Sequence, residues 1–295
     1  MKNKESLVSV IMPVHNGGLF LREAMDSILG QTYQNFEFLI ADDGSQDNTW
    51  AIINSYSSDK IKAFRFKKNR GAFPRTNFLF SQARGKFLAV MDGDDIAKPD
   101  RLEKQVNFMR RHSKIVVLGT QAEIINENGE IIGQKKAPAA SKQIYEQFGF
   151  IHPMIHPSCL IRRSLLPKRK FLYRTDFGVN SDYQTFFEFL NYGQFANLPE
   201  FLLQYRIHGK NSSLSNLKNC FLNTLQIRWL AVTKYGYRMN WLSLILTLCQ
   251  IPSILLLPTR LVDFCYPLIR GINFRYEKNN PHFNFTGNRN WALSG

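Results

Sequence analysis

Aspartates in three short segments are the side chains best suited to chemistry in this chain of 295 residues. Asp92-Gly93-Asp94 places two carboxylates on one short loop, where they repel each other unless a cation or hydrogen bonds compensate. Mg²⁺ and Mn²⁺ prefer oxygen ligands and often bind through one or two carboxylates together with substrate phosphates. The motif therefore predicts a metal site that faces a diphosphate. The alternative is a solvated acidic turn in which Asp95 caps the following helix.

Two further polar segments could bind a nucleotide. In Asp42–Ser45 (DDGS), a carboxylate could accept from a nucleobase imide N–H or from ribose hydroxyls; the alternative is a turn with Gly44 at positive φ. Downstream, Asn69–Gly71 precedes a helix start that carries Arg75, whose guanidinium could hold a phosphate through two hydrogen bonds. Arg75 could equally be an ordinary surface arginine.

Asp182 and two histidines complete the set of candidate residues. Asp182 opens a helical segment, where an aspartate commonly caps the helix N-terminus; beside an acceptor hydroxyl it would instead serve as a general base. His156 and His208 could contact phosphate or fill polar gaps in the fold, since single histidines are commonly structural. The residue types alone leave both possibilities open at each position.

Short apolar runs alternate with helical patterns over the first 125 residues, and these elements must position the candidate residues. The β-α-β-α rhythm indicates an α/β fold with a mostly parallel central sheet and helices on both faces. The polar clusters follow the first, second and fourth predicted strands, at the carboxyl edge where such sheets bind ligands. The predicted strands are Leu7–Val14, Phe36–Ala41, Ile61–Phe66, Phe87–Met91 and Ile115–Leu118, and the predicted helices include Phe20–Leu29, Trp50–Tyr56 and Pro74–Ala83.

Composition restricts the class of protein. Hydrophobic residues make up 44% and charged residues 21%, which is typical of a folded globular chain. The net charge of +15 favours an anionic partner, such as nucleic acid, a phospholipid surface or a phosphorylated small molecule. No C-x-x-C pair occurs among the four cysteines, so zinc and redox motifs are unsupported. The first residues contain no apolar signal-peptide region, and we expect a cytoplasmic location.

The last third of the chain differs from the rest. Leu217–Tyr235 has the pattern of an amphipathic helix, and Trp241–Leu257 carries no charged residue. This second run is shorter than the roughly 20 residues of a spanning helix, and Pro252 would kink it. We expect residues 216–295 to form a helical, membrane-associating extension that lies in the bilayer interface, as one helix or a broken pair. The alternative is a buried helix hairpin.

Six segments, taken in order, resemble the family 2 inverting glycosyltransferases, which have the GT-A fold. The resemblance covers about residues 6–215, so that residues 1–215 would form a GT-A catalytic domain. Each motif is modest alone, but their common order makes the match specific. The segments are VSVIMPVHN at Val8–Asn16, IADDGSQDNT at Ile40–Thr49, KNRGAFPRTN at Lys68–Asn77, GKFLAVMDGDDIAKPDRLEKQV at Gly85–Val106, HPSCLIRRSLL at His156–Leu166 and SDYQTFFEFLNYGQFANLPEFLLQYRIHG at Ser181–Gly209.

The resemblance implies a role for each candidate residue. Asp182 would be the catalytic base, and Asp94, together with Asp92, would bind Mg²⁺ or Mn²⁺. His15 would stack on the nucleobase, Asp43 would bind the uracil edge and Arg75 would approach the diphosphate. The implied nucleotide-binding residues are Pro13, His15, Asn16, Asp42, Asp43, Asn69, Gly71, Arg75, Asp92 and Gly93.

Two positions depart from the family pattern. Ser181 stands where the family often has Glu before the base, although the carboxylate of Asp182 itself is kept. Thr76 separates Arg75 from Asn77, whereas the family arginine usually precedes the asparagine directly. The second departure bears on the diphosphate role of Arg75.

The implied reaction moves a sugar from a nucleotide-diphosphate donor, expected to be a UDP-sugar such as UDP-GlcNAc, onto a hydroxyl of a glycan or lipid-linked acceptor. Asp94–Asp100 and Asp182–Gly209 look most like segments of bacterial lipopolysaccharide and capsule enzymes, which implies cell-surface polysaccharide synthesis. We therefore expect a peripheral enzyme on the inner face of the cell membrane, in contact with anionic lipid.

Other functions were weighed against the same residues. A catalytically silent relative would bind nucleotide only, and a close variant would transfer to a polyprenyl phosphate. A nucleic-acid-binding protein would suit the pI of about 9.7, but no recognition-helix, zinc-finger or RNP pattern occurs, and we expect no nucleic acid partner. A dinucleotide-dependent dehydrogenase would need G-x-G-x-x-G after the first strand, and Pro13–Gly18 lacks it.

Overall fold

A ten-stranded sheet covered by helices runs through the computed structural model, which describes residues 6–208, 217–256 and 272–274. The strands are β1 (Val8–Val14), β2 (Phe36–Asp42), β3 (Ile61–Arg65), β4 (Phe87–Val90), β5 (Ile96–Ala97), β6 (Ile115–Ile125), β7 (Ile131–Lys135), β8 (Leu160–Arg162), β9 (Gln194–Arg206) and β10 (Ile272–Phe274). The α-helices are α1 (Leu21–Leu29), α2 (Thr49–Asn54), α3 (Ala72–Gln82), α4 (Arg101–Arg111), α5 (Ser141–Phe148), α6 (Ser181–Phe189), α7 (Leu217–Thr233) and α8 (Trp241–Leu256).

The sheet is mixed, so the expectation of a mostly parallel sheet is wrong. The strands β3, β2, β1 and β4 are parallel neighbours in that order, as the β-α-β-α rhythm predicts. Beyond β4, the strands β8, β6, β7 and β10 each pair antiparallel with their neighbour. Strand β9 runs parallel to β6 and pairs antiparallel with β5. The direction of β8 was not predicted because it depends on pairing between distant segments, such as β4 with β8, which no local pattern records.

Two apolar clusters pack against the sheet. Alternate residues of β1 reach different clusters, because side chains along a strand point to opposite faces. Val10 belongs to the cluster that contains α1 and α4, whereas Ile11 belongs to the cluster that contains α3 and α6. The helices therefore cover both faces of the sheet, which the sequence pattern predicted.

The C-terminal helices pack against the globular part of the chain. In α7, Ile227 and Ala231 are buried while Trp229 and Val232 are exposed, so apolar side chains lie on both faces and the predicted amphipathic pattern is wrong. Helix α8 continues through Pro252 as one helix rather than a broken pair. The predicted domain boundary after residue 215 lies outside the described residues.

Arg206, the last residue of β9, ties the loop after β4 to the rest of the fold. Its side chain is fully buried and lies 2.6 Å from a carboxylate oxygen of Glu23. Its own main-chain N–H donates to Oδ1 of Asp95 at 2.9 Å. The carbonyl oxygens that accept from its guanidinium belong to Asp94, Asn126 and Glu127, at 2.9 to 3.1 Å. One buried cation therefore fixes the position of residues 94 and 95.

We expect Arg206→Met to lower the free energy of unfolding by about 3–5 kcal/mol, because the substitution leaves buried acceptors without their donor. Arg65, the last residue of β3, is the matched control. Its exposed guanidinium lies 3.7 Å from the carboxylate of Asp42. Arg65→Met should cost less than about 1 kcal/mol. Urea unfolding followed by circular dichroism measures both changes, and equal midpoints for the two variants would contradict the role of Arg206.

Candidate active site

Three polar segments meet at the sheet edge where β1, β2 and β4 end. Val14, the last residue of β1, is the register partner of Asp42, the last residue of β2. The amide of Asp43 donates to the carbonyl of Val14 at 2.8 Å. Gly93 lies against the same residue, since a Cβ at Gly93 would be 3.1 Å from a Val14 methyl group. The segments after the three strands are therefore neighbours at the carboxyl edge of the sheet.

Asp43 organises the segment that precedes α3. Its buried carboxylate accepts from the amide of Arg70 at 3.0 Å and from the amide of Gly71 at 2.7 Å. Gly71 has a φ of +91°, a left-handed conformation that glycine adopts without strain. Asn69 supports the same turn, because its side-chain oxygen accepts from the Gly71 amide at 2.9 Å.

Arg75 lies against Asp43. It is buried, its Nε donates to Oδ1 of Asp43, and its Nη2 donates to the carbonyl of Lys68 at 2.6 Å. The guanidinium carbon also lies 3.6 Å from the centre of the Phe66 ring. Arg75 is therefore not the ordinary surface arginine of the alternative interpretation. The uracil role of Asp43 and the diphosphate role of Arg75 both stay predictions.

His15 and Asn16 form an exposed rim beside this cluster. The Nδ1 atom of His15 lies 3.1 Å from the carbonyl oxygen of Asp43. Asn16 has a φ of +50°, and its amide donates to the hydroxyl of Ser45 at 2.9 Å. Pro13 is half-buried within β1. The nucleobase-binding role of these three residues stays a prediction.

Asp42, in contrast, is fully buried and holds a turn. Its Oδ1 accepts from the amide of Ser45 at 3.0 Å, and Gly44 between them has a φ of +75°. This is the turn that sequence analysis set out as the alternative to nucleotide binding for this segment. The nucleotide role of Asp42 stays a prediction.

Asp92, Asp94 and Asp95 bring carboxylate oxygens within 4.8 Å of one another in the loop after β4. Burial, together with the charges of Asp94 and Asp182, raises the pKa of Asp92 to about 7. Burial and the charges of Asp94 and Asp92 raise the pKa of Asp95 well above its usual range. A divalent cation would offset this crowding of negative charge, so the oxygen donors of the loop fit Mg²⁺ or Mn²⁺.

Asp95 does not cap the next helix. Its Oδ1 accepts from the amide of Arg206, and α4 begins six residues further on, at Arg101. The alternative interpretation of the loop, a solvated acidic turn with Asp95 as a helix cap, is therefore wrong. The fully buried guanidinium of Arg101 donates to the carbonyl of Val90 at 2.8 Å and opposes the rise in the pKa of Asp92.

His208 lies beside the same loop. Its Nε2 is 2.9 Å from Oδ2 of Asp94, and its ring packs 5.1 Å from the ring of Phe20. Sequence analysis considered this histidine for phosphate contact or for filling a polar gap. The structure instead pairs it with a carboxylate, which gives the loop a nitrogen donor next to its oxygen donors.

Asp182 lies in the first turn of α6, and Asn180 rather than Asp182 holds the N-cap position. Its Oδ1 accepts from the amide of Tyr183 at 2.8 Å, and its Oδ2 lies 3.3 Å from Nε2 of His152. Burial opposes ionisation of this carboxyl. The favourable interactions with His152, His156 and the Tyr183 amide outweigh burial, so that the pKa of Asp182 is lowered.

Two histidines influence the charge of this carboxylate, and His152 faces it directly. The amide of Met154 donates to Nδ1 of His152 at 3.2 Å, so the neutral ring carries its hydrogen on Nε2, the atom that faces Asp182. His156 lies 2.8 Å from the hydroxyl of Tyr173 through Nε2. Burial lowers the pKa of His156 to about 4, so this ring is neutral at pH 7.

Sequence analysis missed His152 and Arg206. A signal for His152 exists, because two His-Pro pairs stand four residues apart in the segment HPMIHPS, and only the second was singled out. Arg206 lies in an apolar strand whose sequence gives no sign of the loops it contacts. Its partners come from residues 79 to 183 positions earlier in the chain.

The two groups of carboxylates belong to one site. The amide of Val90, at the end of β4, donates to the carbonyl of Cys159 at 2.9 Å, and the ring of His156 in that segment lies 6.0 Å from the ring of Phe186 in α6. The strand before the carboxylate loop and the helix that carries Asp182 therefore meet at this segment. The site combines a crowded carboxylate loop with an ionised carboxylate beside a histidine.

The comparisons with known proteins all point to the same family. The model of Glycosyl transferase family 2 matches residues 9–169. An uncharacterized glycosyltransferase of Haemophilus influenzae is 33% identical over 217 residues, which is 70% of this chain and 67% of that protein. Another, from Methanocaldococcus jannaschii, is 32% identical over 231 residues, which is 76% of this chain and 79% of that protein.

Solved structures share the fold at low sequence identity. TarS 1–349 of S. aureus, crystallised with UDP, has a TM-score of 0.62 at 19% identity, over 85% of this chain and 73% of that one. The mannosyltransferase PcManGT of Pyrobaculum calidifontis, in complex with GDP-Man and Mn²⁺, has a TM-score of 0.57 at 14% identity, over 91% and 86%. With its mixed α/β sheet of GT-A type and these relatives, the chain belongs to glycosyltransferase family 2.

Proposed function

We propose that this glycosyltransferase transfers a sugar, with inversion, from a nucleotide-diphosphate donor to a hydroxyl of a glycan or lipid-linked acceptor. The observation that carries the proposal is that the segment of residues 156–159 contacts both the end of β4, which precedes the carboxylate loop, and α6, which carries Asp182. It brings carboxylates suited to a metal–diphosphate complex and an ionised carboxylate suited to a general base into one site.

The donor is proposed to be a UDP-sugar, with UDP-GlcNAc the first to test. TarS structures in complex with UDP and with UDP-GlcNAc share this fold, which supports the choice. The neighbouring complex with GDP-Man makes a guanine nucleotide the competing donor class. The exposed rim of His15 and Asn16 is the surface proposed to meet the nucleobase.

A divalent cation would be held by Asp94 and Asp92, and His208 beside Asp94 is a further candidate ligand. When bound, Mg²⁺ or Mn²⁺ would neutralise charge that develops on the departing diphosphate. The neighbouring PcManGT complex contains Mn²⁺, which supports a metal of this class. Arg206 holds the loop from the protein interior, through hydrogen bonds to the carbonyl of Asp94 and the carboxylate of Asp95.

Asp182 is the proposed base. As the acceptor oxygen bonds to the anomeric carbon, its hydroxyl becomes acidic and Asp182 takes the proton, while the bond to the diphosphate oxygen breaks and that oxygen keeps the electron pair. One base and one displacement invert the configuration, because no second carboxylate forms a covalent intermediate. The lowered pKa keeps Asp182 ionised before each turnover.

The acceptor and the location form the less direct part of the proposal. A lipid-linked oligosaccharide in cell-surface polysaccharide synthesis, at the inner face of the cell membrane, would suit the basic and apolar C-terminal third of the chain. The apolar side chains that α7 and α8 expose support this location.

We expect Asp94→Ala to weaken Mn²⁺-dependent binding of the donor by at least roughly 10-fold, because a metal contact and its charge are lost. Isothermal titration of UDP-GlcNAc, other UDP-sugars and GDP-mannose, each with and without Mn²⁺, measures the effect. The control is Asp59→Ala, which removes an exposed aspartate before β3 and should bind donor like the wild type. If no nucleotide sugar bound the wild type under any metal condition, the proposed donor reaction would be wrong.

We expect His152→Leu to shift the acid limb of the pH–rate profile to higher pH and to lower kcat by roughly 10-fold. The pH shift follows because His152 favours the ionised form of Asp182, so that its loss raises the pKa of the base. The lower kcat follows because the carboxylate loses the side chain that faces its Oδ2 and holds it in position. Hydrolysis of the bound donor, with water as acceptor, gives the rate without knowledge of the natural acceptor.

His152→Gln is the matched variant, since a glutamine amide can place an N–H near the position of Nε2. It should restore most of the rate and return the acid limb toward the wild-type pH, with an unchanged KM for the donor in both variants. An acid limb at the same pH in His152→Leu and wild type would show that this histidine does not act through Asp182.

A further inference from the structure

Helix α8 has the opposite orientation to an amphipathic helix on a water-exposed surface, because its polar side chains face the protein. Ser243 and Thr247 are buried, and Gln250 is half-buried. These residues stand at positions i, i+4 and i+7, which places them on one face of the helix. A helix that borders water would normally show the opposite arrangement, with its apolar stripe toward the core.

The polar face of α8 is satisfied by the segment that follows α5. The hydroxyl of Ser243 donates to the carbonyl of Glu146 at 2.9 Å, and that of Thr247 donates to the carbonyl of Gly149 at 2.9 Å. The Gln250 amide donates to the carbonyl of Phe150 at 3.1 Å. Each polar group on this face therefore has a defined partner, so the inverted orientation is built into the packing.

Arg228 of α7 joins the same contact. Its buried guanidinium donates to Thr247 at 3.2 Å, to Gln250 at 2.9 Å and to the carbonyl of Phe150. Gly149 allows the close approach, because a Cβ there would lie only 2.6 Å from the Cβ of Ser243. Rotation of α8 to bury its apolar side would leave these donors and acceptors unpaired, at a cost for each.

The outward face of α8 is apolar along its described length. Trp241 is 73% exposed and Ile245 is 47% exposed, and no charged residue occurs between Trp241 and Leu256. The large apolar side chains exposed on this helix are Trp241, Leu242, Leu244, Ile245 and Leu248. Contiguous apolar surface of this kind marks a site of contact with another apolar phase.

We propose that this outward face inserts into the surface of an anionic lipid bilayer, with Lys234 and Arg238 against the headgroups. Both basic residues are exposed in the connection that leads into α8, next to Trp241 at its first turn. An indole at the border between basic and apolar side chains suits the membrane interface. The apolar side chains face away from the protein along the helix, which suits a helix that lies along the bilayer. Among the described helices, none is long and apolar enough to span a membrane.

Charge favours lipid over a second copy of this chain as the occupant. Two copies, each with a net charge of +15, would repel each other, whereas an anionic leaflet attracts this charge. The inserted helix is hydrogen-bonded to the carbonyls of Gly149 and Phe150. These residues are close in sequence to His152, which faces Asp182. If the proposed function holds, bilayer contact would bring the base toward acceptors anchored in the membrane; the binding itself does not depend on that function.

The test is flotation of the full chain with vesicles of phosphatidylglycerol and phosphatidylcholine, or of phosphatidylcholine alone. We expect binding to the anionic vesicles, and a loss of roughly 10-fold or more in Ile245→Asp/Leu248→Asp. Lys234→Ser/Arg238→Ser should weaken anionic-vesicle binding about fivefold per residue removed. Ile131→Asp is the matched control, because Ile131 is 41% exposed on β7 and should not affect binding.

A second measurement guards against loss of folding in the double aspartate variant. Brominated phosphatidylcholine in anionic vesicles should quench wild-type tryptophan fluorescence, and Trp241→Phe should remove part of that quenching. Equal binding of wild type and Ile245→Asp/Leu248→Asp would overturn the proposal. So would no binding to anionic vesicles, or a dimer in sedimentation that this variant abolishes. Mn²⁺-dependent donor binding by the same variant separates these outcomes from failure of the proposed transfer reaction.

Discussion

Much of the site depends on the burial of negative charge at the end of β4. The loop places Asp92, Asp94 and Asp95 close together, and carboxylates in such a position are stable only when positive charge or hydrogen-bond donors compensate. Arg101 and Arg206 provide both from fully buried positions. Arg206 ends β9 and Arg101 begins α4. The elements that fold around the loop therefore also bring the positive charge that compensates its carboxylates. A divalent cation would complete the compensation on the open side.

In the second half of the site, the surroundings of Asp182 shift the pKa of its carboxyl group in the opposite direction. The pKa of Asp182 is lowered by its histidine partners, whereas burial and neighbouring carboxylates raise the pKa of Asp92. Two carboxyl groups in one site are thus biased in opposite directions, since histidines favour the charged form of one and burial among like charges disfavours that of the other. The aromatic rings around His152, among them Tyr183 and Phe186, hold the imidazole in place.

At the surface, helix α8 also has its polar groups paired inside the protein. Polar groups of α8 are used internally, against carbonyls that follow α5, and the apolar side is left outward. The contact thus joins an apolar surface to the polypeptide segment that leads to His152. The apolar surface and the proposed base Asp182, which His152 faces, share one short stretch of chain, residues 146–152, as their common support.

The sequence by itself determined the parallel half of the sheet and the identity of the carboxylates. Alternating apolar runs are local signals, and six ordered motifs were enough to indicate the family. Only the tertiary structure decided the pairing in the antiparallel half, since β8 lies between β4 and β6 through contacts that no local pattern records. The same holds for the partners of each candidate: Arg75 lies on Asp43, His208 on Asp94, and His152 on Asp182. These pairs join residues 30 to 114 positions apart, and contacts over such separations follow from how the whole chain packs rather than from any local pattern.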